Sequence, residues 1–482
     1  MQSILQAFRK RPLLSRSASI VVGFLIPYLY LMIANVTEAY CDAWVYVEHA
    51  KGFSQNGLLN LSAYAAQFGT SYRGYLLPWL IALGDVLAGL TPLVGYRFLI
   101  SLFASISCTL ALPAIIEHIF SVRFSHWKRP LLLLPLVFLF RGTLEYPLSD
   151  MWAAGCALLA LWALVGFTTD GARPLHKRLL AAAGCGAALS AAYNIRTINL
   201  LLIISVSVAA IVMLLKRRKL SLWQRLLCLL CMGAGFLAVA LPQMLINWQC
   251  YRSLSPLLIS EDGSNLFINQ LYDGIYTAKY ETNVGYDYWL AEMPYLDRAG
   301  LAIFAQEGFD ANGVFGTGAQ YLTGIGDYLR LVFKYPLDFI GIYARHLVNL
   351  IDIRYPEIYV EHIQANALVP IVNYLLCYGG GAALCLELRQ MKRDTMPRLW
   401  LFLVLLLPTV CILAGAIETR FSIVLMLALW GCLLGLFRRG LFAGLRARSC
   451  VALTVGLIGF LLAMSAVGGD TMAGFADWAM LY

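Results

Sequence analysis

The chain has 482 residues, of which 60% are hydrophobic and only 13% are charged, and its net charge is +9. Soluble domains carry about 25% charged residues, so the composition excludes an ordinary soluble protein and indicates apolar segments long enough to cross a membrane. The positive charge does not indicate a nucleic-acid partner. The basic residues lie in short clusters between apolar runs, as they do in the cytoplasmic loops of membrane proteins.

Eleven apolar segments predict an all-α polytopic membrane protein, which we treat as a single membrane domain over residues 1–482. The first segment follows a basic stretch, and because many further segments follow, we interpret it as an uncleaved span rather than a signal peptide. The predicted spans are residues 18–37, 97–118, 131–142, 151–168, 179–193, 198–215, 226–247, 365–386, 399–416, 421–437 and 449–467.

The distribution of charge orients these spans with the N-terminus in the cytoplasm. The predicted cytoplasmic segments carry 23 of the 36 lysines and arginines but only 4 of the 27 acidic residues, as the retention of positive charge in cytoplasmic loops requires. The acidic and polar residues therefore collect on the opposite face. We expect a bacterial inner membrane with the functional site on its periplasmic face. The segments counted are 1–17, 117–130, 169–178, 216–225, 387–398 and 437–448.

Two long outer segments separate the spans, and a group of C-terminal spans over 365–482 follows them. The first outer loop, 38–96, contains the apolar stretch LLPWLIALGDVLAGL, which we interpret as a helix at the membrane interface because a full span there would place a basic loop outside. The large outer loop, 248–364, has a centre rich in tyrosine and polar residues and ends in an amphipathic stretch, YPLDFIGIYARHLVNLI. This pattern predicts an outer-face cap with juxtamembrane helices.

The motif DAWVYVEHAKGF, just after the first span, places Asp42 at the membrane edge with Glu48 and His49 further along. On a helix, Asp42 and His49 share a face and Glu48 lies near it. A carboxylate in this position suits a general base acting on an acceptor hydroxyl. Glu48 and His49 are candidate substrate-binding residues beside it. The alternative is a solvated carboxylate that caps a helix.

The motif RGTLEYPLSDMW places Asp150 at the start of the fourth predicted span. A carboxylate is favourable at a helix N-terminus without any function. The alternative is that Asp150 orients a sugar or helps to bind a metal, with Glu145 and Tyr146 of the same motif as further candidate substrate-binding residues.

Two arginines at outer span ends are candidate phosphate-binding residues. Arg196, in NIRT, breaks the charge pattern of the outer face, and the planar guanidinium suits phosphate; the alternative is an arginine that reaches lipid headgroups. Arg420, in ETRF, either pairs with its neighbour Glu418 or joins Arg196 at a phosphate. Weaker candidates of the same kind are Arg345, Lys51 and Arg73.

Common soluble-enzyme motifs are absent from the sequence, which contains no Walker, GxSxG, HExxH or EF-hand pattern. An enzyme that uses nucleotide sugars in the cytoplasm would need its acidic and polar residues inside. Because they are predicted outside, where nucleotides are scarce, a lipid-linked donor fits better.

In this ordered set of motifs the chain resembles the GT-C superfamily of integral-membrane glycosyltransferases, which includes protein O-mannosyltransferases and the lipid A aminoarabinose transferase. The motifs span about 380 residues. Their order along the chain and their common predicted side of the membrane support the resemblance more than any single motif does. They are DAWVYVEHAKGF with its Asn56-Gly57 turn, RGYLLPWLIALG, YPLSD, NIRT, the loop that begins at Pro242 and Asn247, and ETRF.

The resemblance implies an inverting transfer of sugar from a polyprenyl-phosphate carrier to a glycan, lipid or protein acceptor, by a hexosyl- or pentosyltransferase. It assigns Asp42 as base, Arg196 and Arg420 to the donor phosphate, and Asp150 to the shape of the site. The sequence departs from the family in two features, because no second acidic residue adjoins Asp42 and the metal-binding acidic set of oligosaccharyltransferases is missing. We therefore expect no metal or other cofactor.

Two other functions remain open from the sequence. A ligase or polymerase of lipid-linked glycans uses the same donors and outer-face arginines. A flippase or transporter of lipid-linked sugars is the alternative from another class. Transporters commonly show repeats and broken helices at mid-membrane, and we find neither pattern in this sequence.

Overall fold

We analysed a computed structural model of the chain, which describes residues 12–68, 73–88, 93–169, 173–217, 219–259, 266–281, 293–309, 321–359, 368–391, 398–437 and 447–479. Helices dominate these residues. In chain order they are α1 (Pro12–Ala34), α2 (Cys41–Asn56), α3 (Leu61–Phe68), α4 (Leu76–Ala88), α5 (Val94–Ile106), α6 (Leu112–Phe120), α7 (Leu133–Leu139), α8 (Gly142–Glu145), α9 (Ser149–Thr168), α10 (Leu175–Ile195), α11 (Leu200–Leu215) and α12 (Leu222–Tyr251).

The large outer loop and the C-terminal part add eight helices and one hairpin among the described residues. They are α13 (Leu266–Tyr276), β1 (Thr277–Glu281), β2 (Met293–Leu296), α14 (Arg298–Glu307), α15 (Ile325–Lys334), α16 (Pro336–Ile351), α17 (Leu368–Gln390), α18 (Leu399–Ile412), α19 (Ile423–Leu436) and α20 (Ala447–Ala479). The strands β1 and β2 are antiparallel, with Lys279 opposite Tyr295.

Eight helical stretches in the described part of the chain are long and apolar enough to cross a membrane. The predicted all-α polytopic membrane protein is therefore confirmed, and the chain is an integral membrane protein. The eight stretches are Arg16–Ala34, Val94–Phe120, Ser149–Thr168, Thr197–Leu215, Leu222–Tyr251, Leu368–Gln390, Thr419–Leu436 and Ala447–Thr471.

The other three predicted spans do form helices, but not helices of this kind. Residues 131–142 contain only the seven-residue α7, and α18 is a shorter apolar helix. The helix α10 has 21 residues, but His176, Lys177 and Arg178 occupy its first turns. The count of eleven is thus not confirmed. The two stretches predicted as juxtamembrane helices form α4 and α16, and their position at the membrane interface stays a prediction. Residues 392–397 and 438–446, which are parts of two predicted cytoplasmic segments, lie outside the described residues.

Glycines allow α10 and α12 to approach closely, as small residues do at helix crossings. A Cβ added to Gly186 of α10 would lie 1.8 Å from the carbonyl oxygen of Met232 in α12, and one added to Gly235 would lie 1.9 Å from that of Ala183. The backbones of α10 and α12 are therefore almost in contact.

We expect Gly186→Ala to lower the stability of the protein by about 1–3 kcal/mol, because the new methyl group can be accommodated only if the two backbones separate. Thermal unfolding in detergent measures this change. The matched control is Gly184→Ala on the same helix, where an added Cβ meets nothing within 4 Å. Equal melting temperatures for the two variants would contradict the close crossing.

The described residues of the predicted cap, 266–351, which we call the cap, have their own apolar core, separate from that of the membrane helices. Tyr272, Tyr276, Phe304 and Phe339 are fully buried in it. Two cap residues bind the segment that precedes α19, since Tyr280 N donates to the carbonyl oxygen of Ile417 (2.7 Å) and Tyr328 OH donates to that of Ala414 (3.1 Å). The cap thus fixes the backbone immediately before Glu418.

Candidate functional site

Charged side chains from five separate segments meet at one end of the membrane helices. Each lies where a helix begins or ends, so the helices fix its position. The six residues are Asp42 in the first turn of α2, Arg73 shortly before α4, Asp150 in the first turn of α9, Arg196 directly after α10, and Glu418 and Arg420 before α19. We call these six residues the ion cluster.

Arg420 is the centre of the ion cluster, and its side chain is only 9% exposed. Its Nη2 donates to Asp42 Oδ2 (3.1 Å) and to Glu418 Oε1 (2.8 Å). Its Nε lies 2.6 Å from Glu418 Oε2, and its Nη1 lies 3.8 Å from Asp150 Oδ2. One guanidinium therefore joins three carboxylates.

The two other arginines bind the far sides of the same carboxylates. Arg73 Nη2 donates to Asp42 Oδ1, and Arg73 Nη1 donates to the Tyr46 hydroxyl (3.2 Å). Arg196 Nη1 donates to Asp150 Oδ1, and its guanidinium lies over the ring of Phe421, 4.0 Å from the centroid. Arginines and aspartates thus alternate along a continuous chain of contacts.

The ion cluster has three positive and three negative charges. Groups of this kind are stable away from water only when each charge is paired. The Asp150 side chain is 1% exposed and that of Asp42 is 31% exposed, so solvent or a ligand reaches the cluster from the Asp42 side. Asp150 Oδ2 is buried and accepts no hydrogen bond among the described residues. The cluster therefore retains unused capacity to bind a ligand.

The charges around Asp42 make it a weak base in this state. Burial alone would raise its pKa, but the neighbouring charges of Arg73 and Arg420 outweigh burial and lower the pKa to about 2. Because the folded-state pKa is depressed, this carboxylate stabilises the fold at pH values above its unfolded pKa of about 3.9. That contribution is lost as the pH falls towards 2. A proton acceptor works best with a pKa nearer the working pH.

We expect Arg73→Met to raise the pKa of Asp42, because one of the two opposing charges is removed. In the wild type, the pKa of about 2 keeps Asp42 ionised over any practical pH range. The Asp42 carboxyl of the variant should therefore take up a proton at a higher pH than that of the wild type does. An NMR titration of the carboxyl carbon measures the shift. Coincident titration curves would contradict the pairing of Arg73 with Asp42.

The cap holds the segment that carries Glu418 and Arg420. His346 is wholly buried, and its Nδ1 and Nε2 lie 2.7 Å and 2.8 Å from the carbonyl oxygens of Leu413 and Thr277. Ala416 N donates to the carbonyl oxygen of Gln270 (3.0 Å), and Tyr280 forms a bridge with Glu418. Arg420 is therefore positioned from both sides, by α19 and by the cap.

Several residues predicted for the site make other contacts. Lys51 pairs with Glu48 within α2, and Arg345 binds Asp297 in a two-point contact (2.6 and 2.8 Å). The role of His49 as a substrate ligand stays a prediction. It is buried beside Tyr64, and burial, with the charge of Arg73, lowers its pKa to about 4.

The predicted pair Glu145 and Tyr146 lies just before α9. Glu145 accepts a hydrogen bond from the Tyr30 hydroxyl, and burial raises its pKa. Tyr146 packs edge-on against Tyr359, with ring centroids 4.9 Å apart. Both residues therefore have partners outside the ion cluster, and their contact with substrate stays a prediction.

Tyr359 and Phe421 were not predicted as site residues. Phe421 directly follows Arg420 and lies under both Arg196 and Arg420, whose guanidinium carbons are 4.0 and 5.4 Å from its ring centroid. Its position in the motif ETRF, directly after Arg420, is the sequence signal that could have identified it as a site residue. Tyr359 lies far from every motif in the sequence, and only the folded chain places it near Asp42.

A metal site is not evident in the described part of the chain, where no group of three or more His, Cys, Asp and Glu side chains is arranged to hold an ion. The carboxylates of the ion cluster contact arginines instead. The expectation that no cofactor is needed stays a prediction.

Comparison with known proteins gives one structural likeness. No family model and no curated protein matches the chain. Among solved structures, it is similar to the archaeal oligosaccharyltransferase AglB from Archaeoglobus fulgidus in complex with an inhibitory peptide and a dolichol-phosphate, with 14% identity and a TM-score of 0.44. The match covers 98% of this chain and 56% of that one, so the chain spans about half the length of its neighbour.

Proposed function

We propose that the protein is a glycosyltransferase that transfers a sugar from a polyprenyl-phosphate carrier to an acceptor at the outer face of the membrane. The observation that supports it most is the ion cluster, in which a solvent-accessible carboxylate, the buried Arg420 and two partly exposed arginines meet at the ends of helices. A membrane lipid that carries a phosphate can bring its charged headgroup to such a place without leaving the bilayer. The acceptor is a glycan, a lipid or a protein, and the sugar is a hexose or a pentose.

Arg196 and Arg420 are the proposed phosphate-binding residues. Arginine binds phosphate with two parallel hydrogen bonds, and these guanidiniums lie over the same Phe421 ring and share Asp150 as partner. A phosphate between them adds negative charge to a cluster that is neutral. The added charge favours exchange, in which the phosphate replaces a carboxylate as partner of Arg420.

Asp42 is the proposed general base. When the phosphate binds Arg420, Asp42 loses one of the two charges that lower its pKa, so it becomes a better proton acceptor. The acceptor oxygen then bonds to the anomeric carbon while its proton passes to Asp42. The bond between that carbon and the phosphate oxygen breaks, and the arginines stabilise the charge of the leaving lipid phosphate. Attack opposite the leaving group inverts the anomeric centre.

The test is a transfer assay with the purified wild-type protein in liposomes. A panel of radiolabelled polyprenyl-phosphate sugars is supplied, together with matching nucleotide sugars in separate reactions. We expect label to leave the lipid carrier and to appear in acceptor extracts, with no turnover of nucleotide sugars. Turnover of lipid-linked oligosaccharides alone would indicate a ligase or polymerase. Labelled lipid that crosses the bilayer without transfer would indicate a transporter and would contradict the proposal.

A further inference from the structure

The hydroxyl of Tyr359 is an unexplained polar group close to the ion cluster. Tyr359 is 5% exposed, and its hydroxyl oxygen is buried without a hydrogen-bond partner among the described residues. Buried hydroxyls are nearly always hydrogen-bonded, because an unpaired one loses its bonds to water and gains nothing in return. Such a group therefore needs an explanation, and a bound ligand supplies one.

The position of Tyr359 relates it to two elements of the site. Its side chain belongs to a small buried group with Ala43, Tyr146 and Leu148, which come from the first turn of α2 and from the turn before α9. Its ring centroid lies 4.9 Å from that of Tyr146 and 6.2 Å from that of Tyr40. Tyr359 thus packs beside the two turns that carry Asp42 and Asp150.

The electrostatic surroundings show which kind of partner the hydroxyl takes. Burial raises the pKa of Tyr359, the charge of Arg420 acts against this rise, and that of Asp42 supports it. The hydroxyl therefore stays protonated and is a hydrogen-bond donor. Since Arg420 is close enough for its charge to act on Tyr359, a suitable acceptor is an anionic oxygen that Arg420 also attracts.

The backbone of Tyr359 gives an independent indication. Its φ is +64°, in the left-handed region. Residues other than glycine are uncommon there, and bulky ones are rare. Strained residues of this kind persist only where the surrounding structure holds them, and they concentrate at ligand-binding sites. The surrounding structure therefore holds Tyr359 in this conformation, with its side chain against the first turn of α2.

We propose that the Tyr359 hydroxyl donates a hydrogen bond to a phosphate oxygen of the lipid-linked donor and completes the phosphate site formed by Arg196 and Arg420. This inference rests on the proposed function, because it assumes a phosphate at the ion cluster. It adds a binding residue from a part of the large outer loop in which the sequence shows no motif. The phosphate site then draws on the membrane helices and on the outer loop together.

The experiment compares Tyr359→Phe with the wild type, since this change removes a single oxygen atom. Binding of a polyprenyl phosphate is titrated in detergent, with the unphosphorylated polyprenol as reference. We expect the variant to bind the phosphate about ten- to a hundredfold more weakly, as the loss of a hydrogen bond to a charged group predicts. We expect its melting temperature without ligand to equal or exceed that of the wild type, because an unpaired buried hydroxyl has been removed.

The matched control is Tyr272→Phe. Tyr272 is fully buried in the cap core, and its hydroxyl is also without a partner among the described residues. We expect this variant to bind polyprenyl phosphate as the wild type does.

Three results of these experiments would contradict the proposal. Equal binding by Tyr359→Phe and the wild type would overturn the role of Tyr359 and leave the proposed function standing. A clearly lower melting temperature for Tyr359→Phe would assign its hydroxyl to the fold and overturn the inference. Wild-type binding that does not distinguish polyprenyl phosphate from polyprenol would overturn the proposed function and this inference with it.

Discussion

Asp42→Asn is expected to lower kcat by a factor on the order of 10²–10⁴, the usual contribution of a general base. Asparagine has nearly the shape of aspartate but does not accept the acceptor's proton. The same change should leave the affinity for polyprenyl phosphate unchanged or higher, because Asp42 competes with the phosphate for Arg420. Activity is therefore expected to fall without any loss of binding, which a misfolded variant would not show. Steady-state kinetics and a binding titration measure the two quantities.

The control for this prediction is Asp338→Asn in the first turn of α16, where the carboxylate is exposed. It removes one negative charge from the cap without touching the ion cluster, and we expect wild-type kcat. Full turnover by a folded Asp42→Asn variant would remove Asp42 from the mechanism. A parallel loss of activity and of binding would show that Asp42 acts by positioning the arginines.

Arg420→Met is expected to have the largest effect on both stability and binding. It leaves Glu418 and Asp42 without one of their partners and removes the neighbouring charge from the wholly buried Asp150. Breaking a buried ion pair by removing one partner costs about 3–5 kcal/mol. Binding of polyprenyl phosphate should fall below detection, because the central phosphate-binding residue is missing.

Arg420→Lys separates charge from geometry. A lysine keeps the positive charge, but a single ammonium group does not reproduce a planar fork that reaches three carboxylates. We expect this variant to recover part of the stability and little of the phosphate binding. Thermal unfolding and titration with polyprenyl phosphate measure the two effects.

The matched control for Arg420 is Arg129→Met. The Arg129 side chain is 4% exposed and its Nη2 lies 2.9 Å from Glu117, so a buried arginine–carboxylate pair is broken away from the ion cluster. This variant should lose stability and keep its affinity for polyprenyl phosphate relative to polyprenol. Equal losses of binding in Arg129→Met and Arg420→Met would show that binding merely follows stability.

The sequence predicted most of the helices. Amphipathic periodicity and apolar runs are local properties, so the bounds of α16 agree well with the predicted amphipathic stretch. The membrane face on which the charges lie stays a prediction. The Asn56-Gly57 turn is also found, with Gly57 at a φ of +96° after the last residue of α2. The number of spans was not predictable to the same degree, because α10 carries polar residues at its start and α7 is too short.

The partners within the site were less predictable. Asp42 and Arg420 are 378 residues apart, and the alternation of spans indicates that they share a face but not that they touch. Arg73 was predicted as a phosphate ligand, whereas the structure pairs it with Asp42. For Arg420 the sequence left two alternatives open, a pair with Glu418 or a phosphate site shared with Arg196. The pair with Glu418 is present in the structure. Ion pairing between separate segments depends on the three-dimensional positions of the side chains. The hydrophobic periodicity of a sequence contains no information about these positions.

The most direct test of the account is an experimental structure of the protein with a polyprenyl phosphate bound. We predict that the phosphate lies within hydrogen-bond distance of the guanidiniums of Arg196 and Arg420, and that Asp42 is released from Arg420 to face the acceptor side. A lipid phosphate bound elsewhere, with the contact between Asp42 and Arg420 intact, would contradict the assignment of the ion cluster as the active site.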